Sequence, residues 1–122
     1  MKRRRDPRKL ALPIADLEAG RPTVQDALSR LDQELAAARR EGRGIVKLIH
    51  GYGSSGAGGD IRMAVQRRLA ELARDGLIRD CIFGENWSIS DECTWKLMQA
   101  RPELKEDRDL GRKNLGITIM VL

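Results

Sequence analysis

Two rhythms of apolar residues alternate along this chain. Leu10 to Leu17 (LALPIADL) is a short apolar run bounded by charge, and it reads as a strand with Pro13 near an edge. From Val24 the rhythm changes. Val24, Ala27, Leu28, Leu31, Leu35 and Ala38 draw one apolar stripe on a helix from about 24 to 41. Thr23 is a good cap for it, Asp26 suits the positive end of its dipole, and Gly42 or Gly44 ends it. Ile45 to Ile49 (IVKLI) is a mostly apolar, β-branched run that reads as a buried strand ending at His50. After a glycine-rich stretch, Asp60 is placed to cap a second helix with Ile61, Ala64, Val65, Leu69, Leu72 and Ala73 on its buried side, and Gly76 stops it. Leu77 to Phe83 is a third strand candidate, and Gly116 to Leu122 (GITIMVL) is the strongest strand signal of all. Between them, residues 84–110 form an excursion. A short helix begins at Ser90, Asp91 and Glu92 and ends at Pro102, and the charged stretch Glu103 to Asp109 reads as a solvent loop. Trp87 and Trp95 read as anchors of that excursion, and Cys81 as a core residue. The order β-α-β-α-β, excursion, β predicts an α/β two-layer sandwich, with two main helices on a mixed four-stranded sheet.

Composition narrows the class. The chain has 122 residues, which fits one ordinary domain. Apolar residues at 41% and charged residues at 34% suit a globular domain with a modest core. No apolar run reaches the roughly 18 residues of a membrane span, and no apolar stretch follows the basic N-terminus as in a secretory signal. Two cysteines, Cys81 and Cys93, make no disulfide framework, and with one histidine they supply too few ligands for structural zinc. The expectation is a cytoplasmic protein with no membrane partner. The net charge of +5 is unevenly placed. Residues 1–9 (MKRRRDPRK) hold six basic side chains and one acid, which leaves 17 of each sign for the rest. The chain therefore reads as a basic flexible arm, 1–9, joined to a single domain, 10–122. Such an arm can neutralise several phosphates.

The chemistry concentrates between Lys47 and Arg62 (KLIHGYGSSGAGGDIR). A buried strand delivers His50 to a glycine-rich loop that feeds a helix N-terminus. Glycines let the backbone turn and present N–H groups, and the helix dipole favours an anion there. The stretch is neither a P-loop, since no Gly-Lys-Ser/Thr ends it, nor a dinucleotide fingerprint. Phosphate-binding candidates are Gly51, Tyr52, Gly53, Ser54, Ser55, Gly56, Arg62 and Arg67, with Arg68 beside them and Tyr52 able to stack on a base. Asp16 and Glu18 alternate on the first strand and so share one face. Such a pair can hold a divalent metal or divide acid and base roles. His50 can act as a base or contact a phosphate, or it can hydrogen-bond the loop backbone and fix its shape.

In order along the chain, these segments resemble the Smr (small MutS-related) domain family. The family's central motif is a strand followed by HGxGxGxLR; here stand His50-Gly51-Tyr52-Gly53, a longer glycine loop, then Ile61-Arg62. The family's first motif, LDLHG with a helix beginning Thr-Val-x-Glu-Ala, is matched by Ala15-Asp16-Leu17-Glu18, a two-residue extension and Thr23-Val24-Gln25-Asp26-Ala27-Leu28. Its closing strand, similar to GxGVTIVxL, is matched by Gly116-Ile117-Thr118-Ile119-Met120-Val121-Leu122. Residues 84–113 lie outside the resemblance. It implies a β-α-β-α-β-β sandwich like the C-terminal domain of bacterial translation initiation factor three. It also implies nucleic acid, DNA or RNA, as partner, and in some members DNA nicking or RNA cleavage, including mRNA on stalled ribosomes. Family activity is linked to the Asp and His of the first motif and to the His-Gly loop, which makes His50, Asp16 and Glu18 the candidate catalytic residues.

The departures favour binding over cleavage. Glu18 stands where the first-motif His would be, His50 is the sole histidine, and Leu115 replaces a glycine before the last strand. The leading expectation is a nucleic-acid-binding domain with no resident cofactor. An endonuclease using His50 with Asp16 or Glu18, and a ribosome-associated protein-interaction domain, are the alternatives.

Overall fold

A computed structural model describes residues 12–52 and 58–122. The arm 1–9 and loop residues Gly53, Ser54, Ser55 and Gly56 lie outside them. Strand β1, Ile14–Asp16, leads to helix α1, Val24–Glu41. Thr23 and Asp26 close a reciprocal capping box at its start: the Thr23 side chain accepts the Asp26 N–H, and the Asp26 carboxylate accepts the Thr23 N–H. Such a cap is worth about 1 kcal/mol. Gly42 ends the helix at φ +69°, where its N–H returns to Ala38 and Arg39. Strand β2, Ile45–Ile49, follows, then helix α2, Gly58–Arg74, and strand β3, Asp80–Phe83. A 3-10 turn at Gly84–Asn86, helix α3, Glu92–Ala100, and a second 3-10 turn at Pro102–Glu106 lead to strand β4, Ile117–Val121.

The sheet order is β1-β2-β4-β3, with β1 parallel to β2 and β4 antiparallel to both its neighbours. The mixed four-stranded sheet and two main helices are as expected. β2 and β4 lie at the centre with both faces covered, which is why their sequences read as continuous apolar runs without alternation. On the first face, Val46, Leu48 and Met120 pack against Ala27, Leu31, Leu35 and Ala38 of α1 and Ile61, Val65 and Leu69 of α2. On the second face, Ile45, Ile117, Ile119 and Val121 pack under Trp87, Met98 and Leu104 from the excursion.

Four local expectations need correction. β1 and β3 are shorter than the apolar runs at 10–17 and 77–83, because Leu12 and Ile78 enter the two cores from backbone outside the strands. Asp60 does not cap α2: the helix starts two residues earlier, and Asp60 sits in its first turn. Trp95 is half exposed and lies outside the second core, whereas Trp87 is fully buried as expected. The stretch 103–109 is not a solvent loop. Leu104 is buried, and Asp107 and Asp109 turn inward onto Lys47, a strand residue only 2% exposed. The Lys47 ammonium donates to Asp107 Oδ1 at 2.7 Å and to Asp109 Oδ2 at 2.6 Å, and the Trp87 indole N–H donates to Asp107 Oδ2 at 2.9 Å.

Candidate nucleic-acid interface at the strand ends

Parallel pairing of β1 with β2 brings the carboxyl ends of both strands together, and the Leu17 N–H donates to the Ile49 carbonyl at 2.8 Å. The residues around Glu18 and those around His50 are thereby neighbours. The N–H groups of His50 and Gly51 both donate to the Gly116 carbonyl, at 2.9 and 3.1 Å, which ties the start of the glycine loop to the start of β4.

His50 and the two carboxylates do not meet. Asp16 stands opposite Ile49 in the register, so both point to the second face. His50, one residue on, points to the first face and is fully buried. Its Nδ1 lies 2.7 Å from the Gly51 carbonyl and its Nε2 lies 2.9 Å from Thr118 Oγ1. Burial lowers its pKa below the usual 6.5 despite the Gly51 carbonyl, and the nearby Arg62 guanidinium works in the same direction. A neutral ring facing a carbonyl must place its proton on Nδ1. Nδ1–H then donates to Gly51, Nε2 accepts from the Thr118 hydroxyl, and Gln66 approaches that hydroxyl at 3.5 Å. Of the roles open to His50, the described residues show the loop-fixing one: the ring holds the loop's first carbonyl from inside.

On the second face the strand ends are open. The Asp16 carboxylate accepts the Glu18 N–H at 2.9 Å and so shapes the turn after β1. Glu18 extends over Gly51, whose φ of +73° favours glycine and whose missing Cβ leaves room for the carboxylate. Beside it lies a cleft of about 320 Å³ lined by Glu18, Tyr52, Arg108 and Asn114, with the Lys47–Asp109 pair behind. Burial opposes the charge on Asp109, but hydrogen bonds from Lys47 and Asn114 outweigh it and hold the carboxyl below its ordinary pKa. Among the described residues, no group of three His, Cys, Asp or Glu side chains is placed to hold a metal ion.

The arginines divide. Arg62 is half-buried and pairs with Glu85 at 3.0 Å. Arg67 is exposed, but five residues further on it lies about 140° round the helix from Arg62. Arg68 reaches Asp32 of α1 with two hydrogen bonds, at 2.8 and 3.1 Å. Tyr52 is 59% exposed. Sequence reasoning missed Lys47, Arg108, Asp109 and Asn114 as parts of this end of the sheet. A lysine inside an apolar strand was the available signal, since a buried ammonium demands counter-charge from elsewhere in the chain.

No protein-family model matches this chain, and no curated protein matches it. Among solved structures, the Smr domain of MutS2 from Thermus thermophilus is similar over 91% of this chain and 98% of that one, with a TM-score of 0.56 and 23% identity. At that identity the likeness defines the class of fold: this chain has the fold of an Smr domain. No helix among the described residues is long and apolar enough to cross a membrane.

Proposed function

We propose that this domain binds nucleic acid through its phosphates and does not cleave it. The Smr resemblance implies the partner class. The observation that carries the preference for binding is the separation of His50, buried and neutral on one face of the sheet, from Asp16 and Glu18 on the other. A general base must come within hydrogen-bond reach of the proton it takes, and His50 already spends both ring nitrogens inside the protein.

In this reading, the loop Gly51 to Gly56 and Arg62 meet phosphates beside the start of α2, and the exposed Arg67 adds a cation further along the helix. The arm 1–9 adds six cations to the single domain 10–122. Arg108, Arg112 and Lys113 extend the basic surface from the segment between β3 and β4; all three are exposed, and none is in an ion pair among the described residues. Backbone and arm contacts carry little base information, so binding is largely sequence-tolerant. A reducing, cytoplasmic setting suits the two free cysteines; the exposed Cys93 thiol donates to Asp80, whose carboxylate pushes its pKa up to about 11.

Labelled RNA and DNA, single- and double-stranded, titrated with the full chain over a range of salt and with or without Mg²⁺, tests this reading. The expected result is salt-sensitive binding without cleavage products. Deleting residues 1–9 should weaken it and flatten the salt slope, because about 0.9 of a counterion is released per phosphate contact on duplex DNA. Efficient cutting that Glu18→Ala or His50→Ala abolishes overturns the reading in favour of an endonuclease. Absence of binding at low salt overturns it in favour of a protein-interaction domain.

A further inference from the structure

We infer that the cleft beside Glu18 accepts one unstacked nucleobase of a single strand and prefers guanine. This rests on the proposed function and names the ligand that one part of the surface would read. The volume, about 320 Å³, is at the low end for small-molecule sites and suits one nucleotide, not a duplex. Ile14 and Tyr52, each 59% exposed, leave apolar area at the cleft, and a ring such as Tyr52 is a stacking surface for any base. The other wall is set in place: the Asn114 amide donates to Asp109 Oδ1 at 3.1 Å and its carbonyl oxygen accepts the Gly116 N–H at 2.9 Å.

Glu18 supplies the choice of base. Its carboxylate is an acceptor only. Among the described residues it has no ion pair, and the closest buried cation, Lys47, is already committed to Asp107 and Asp109. The two oxygens therefore want two N–H donors from a ligand. Guanine alone offers two adjacent donors on its Watson–Crick edge, from its ring N–H and its amino group. Adenine and cytosine set an acceptor nitrogen beside a single amino group, and uracil sets carbonyls on both sides of its one N–H. An arginine side chain of a partner also fits a carboxylate beside an aromatic ring. The exposed Arg108 in the cleft lining, with the exposed Arg112 and Lys113 just before Asn114 in the chain, repels such a cation and attracts the phosphates that flank a base.

The experiment is fluorescence anisotropy of the full chain with labelled oligouridine hexamers, unmodified or carrying one guanine, adenine or cytosine, at low ionic strength. The guanine hexamer should bind about tenfold more tightly than the others, as one bidentate base contact allows. Glu18→Gln should bring the ratio of guanine to uridine hexamer affinities close to one, since an amide replaces one acceptor by a donor. Glu18 is exposed, so this variant should fold, and a melting curve checks that. Arg108→Ala should weaken all four hexamers and lower the salt slope by about one. Equal affinity of the wild type for all four overturns the base-reading cleft and leaves the proposed function standing. Failure to bind any hexamer overturns the base-reading cleft, and it overturns the proposed function only when the longer RNA and DNA, duplexes included, also fail to bind at low salt. Binding of a Gly-Arg-Gly peptide that Glu18→Gln abolishes, without a guanine preference, assigns the cleft to a protein side chain instead.

Discussion

The two faces of the sheet each bury one polar side chain from β2 or the residue that follows it, and they handle it in opposite ways. His50 on the helix side is neutral and needs only a hydroxyl and a carbonyl, both close by in the strand ends. Lys47, three residues earlier and on the other face, is met by two carboxylates brought from residues 107 and 109. Those carboxylates arrive with Trp87, Met98 and Leu104, the apolar cover of the second core. A neutral group can be satisfied by the core fold alone. A buried ammonium ties the core fold to a segment some sixty residues away, which gives residues 84–113 a structural purpose whatever they bind.

The sharpest way to break that contrast is to remove the counter-charges. The double variant Asp107→Asn, Asp109→Asn leaves the Lys47 ammonium buried without a carboxylate. It should lose about 3–5 kcal/mol, the usual cost of an uncompensated buried charge. Denaturant unfolding followed by tryptophan fluorescence reads this. Adding Lys47→Met to the pair should restore most of the loss, because an apolar side chain of similar length replaces the charge. If the double variant is as stable as the wild type, the segment is held by its apolar contacts alone.

The same contrast explains what was legible in the sequence. Helix α1 was, down to Thr23 and Asp26, with Gly42 one of the two stops the sequence offered, because capping and amphipathic spacing are local. β2 and β4 were, because central strands buried on both faces are apolar throughout. The edge strands β1 and β3 were read too long, since an apolar residue such as Leu12 or Ile78 fills a core equally well from irregular backbone. For the site, alternation put Asp16 and Glu18 on one face, but which face His50 shared depended on the register Asp16↔Ile49, and no local window contains that. The charge-dense stretch 103–109 looked solvated because its partner, Lys47, is far away in the chain.

A smaller effect is expected where the segment between β3 and β4 leaves the sheet. A Cβ at Gly84 would collide with the backbone carbonyls of Asn114 and Ile117, which have no freedom to move aside. Gly84→Ala should therefore cost about 1–3 kcal/mol by overpacking. Gly76→Ala is the control. It meets open space and carries only the strain of φ +75°, so its cost should be about 1–2 kcal/mol. Thermal melts of both variants compare the two. Gly84→Ala melting at the wild-type temperature would mean that the junction yields, and that the second face is less firmly held than its buried ion pair implies.

The helix side should give the smallest change and a distinctive pH dependence. His50→Gln keeps polar atoms near Gly51 and Thr118 but cannot repeat the ring's geometry, so about 1–2 kcal/mol should be lost near neutral pH. The sign with pH follows from the lowered pKa of the folded state. Between that value and the usual 6.5, the unfolded chain binds more protons than the folded one, so stability rises with pH through this window. The histidine's contribution is complete above about 6.5 and is lost as pH falls towards the folded pKa. Asp109, also lowered, acts in a separate window, losing its contribution only as pH falls below the ordinary 3.8. Melting temperatures of the wild type should therefore decline as pH drops from 6.5, and those of His50→Gln should stay level until the carboxylates begin to protonate. Parallel curves for the two proteins across that range would show that His50 is not held neutral by burial. The contrast between a neutral face and a charged one would then fail at its first face.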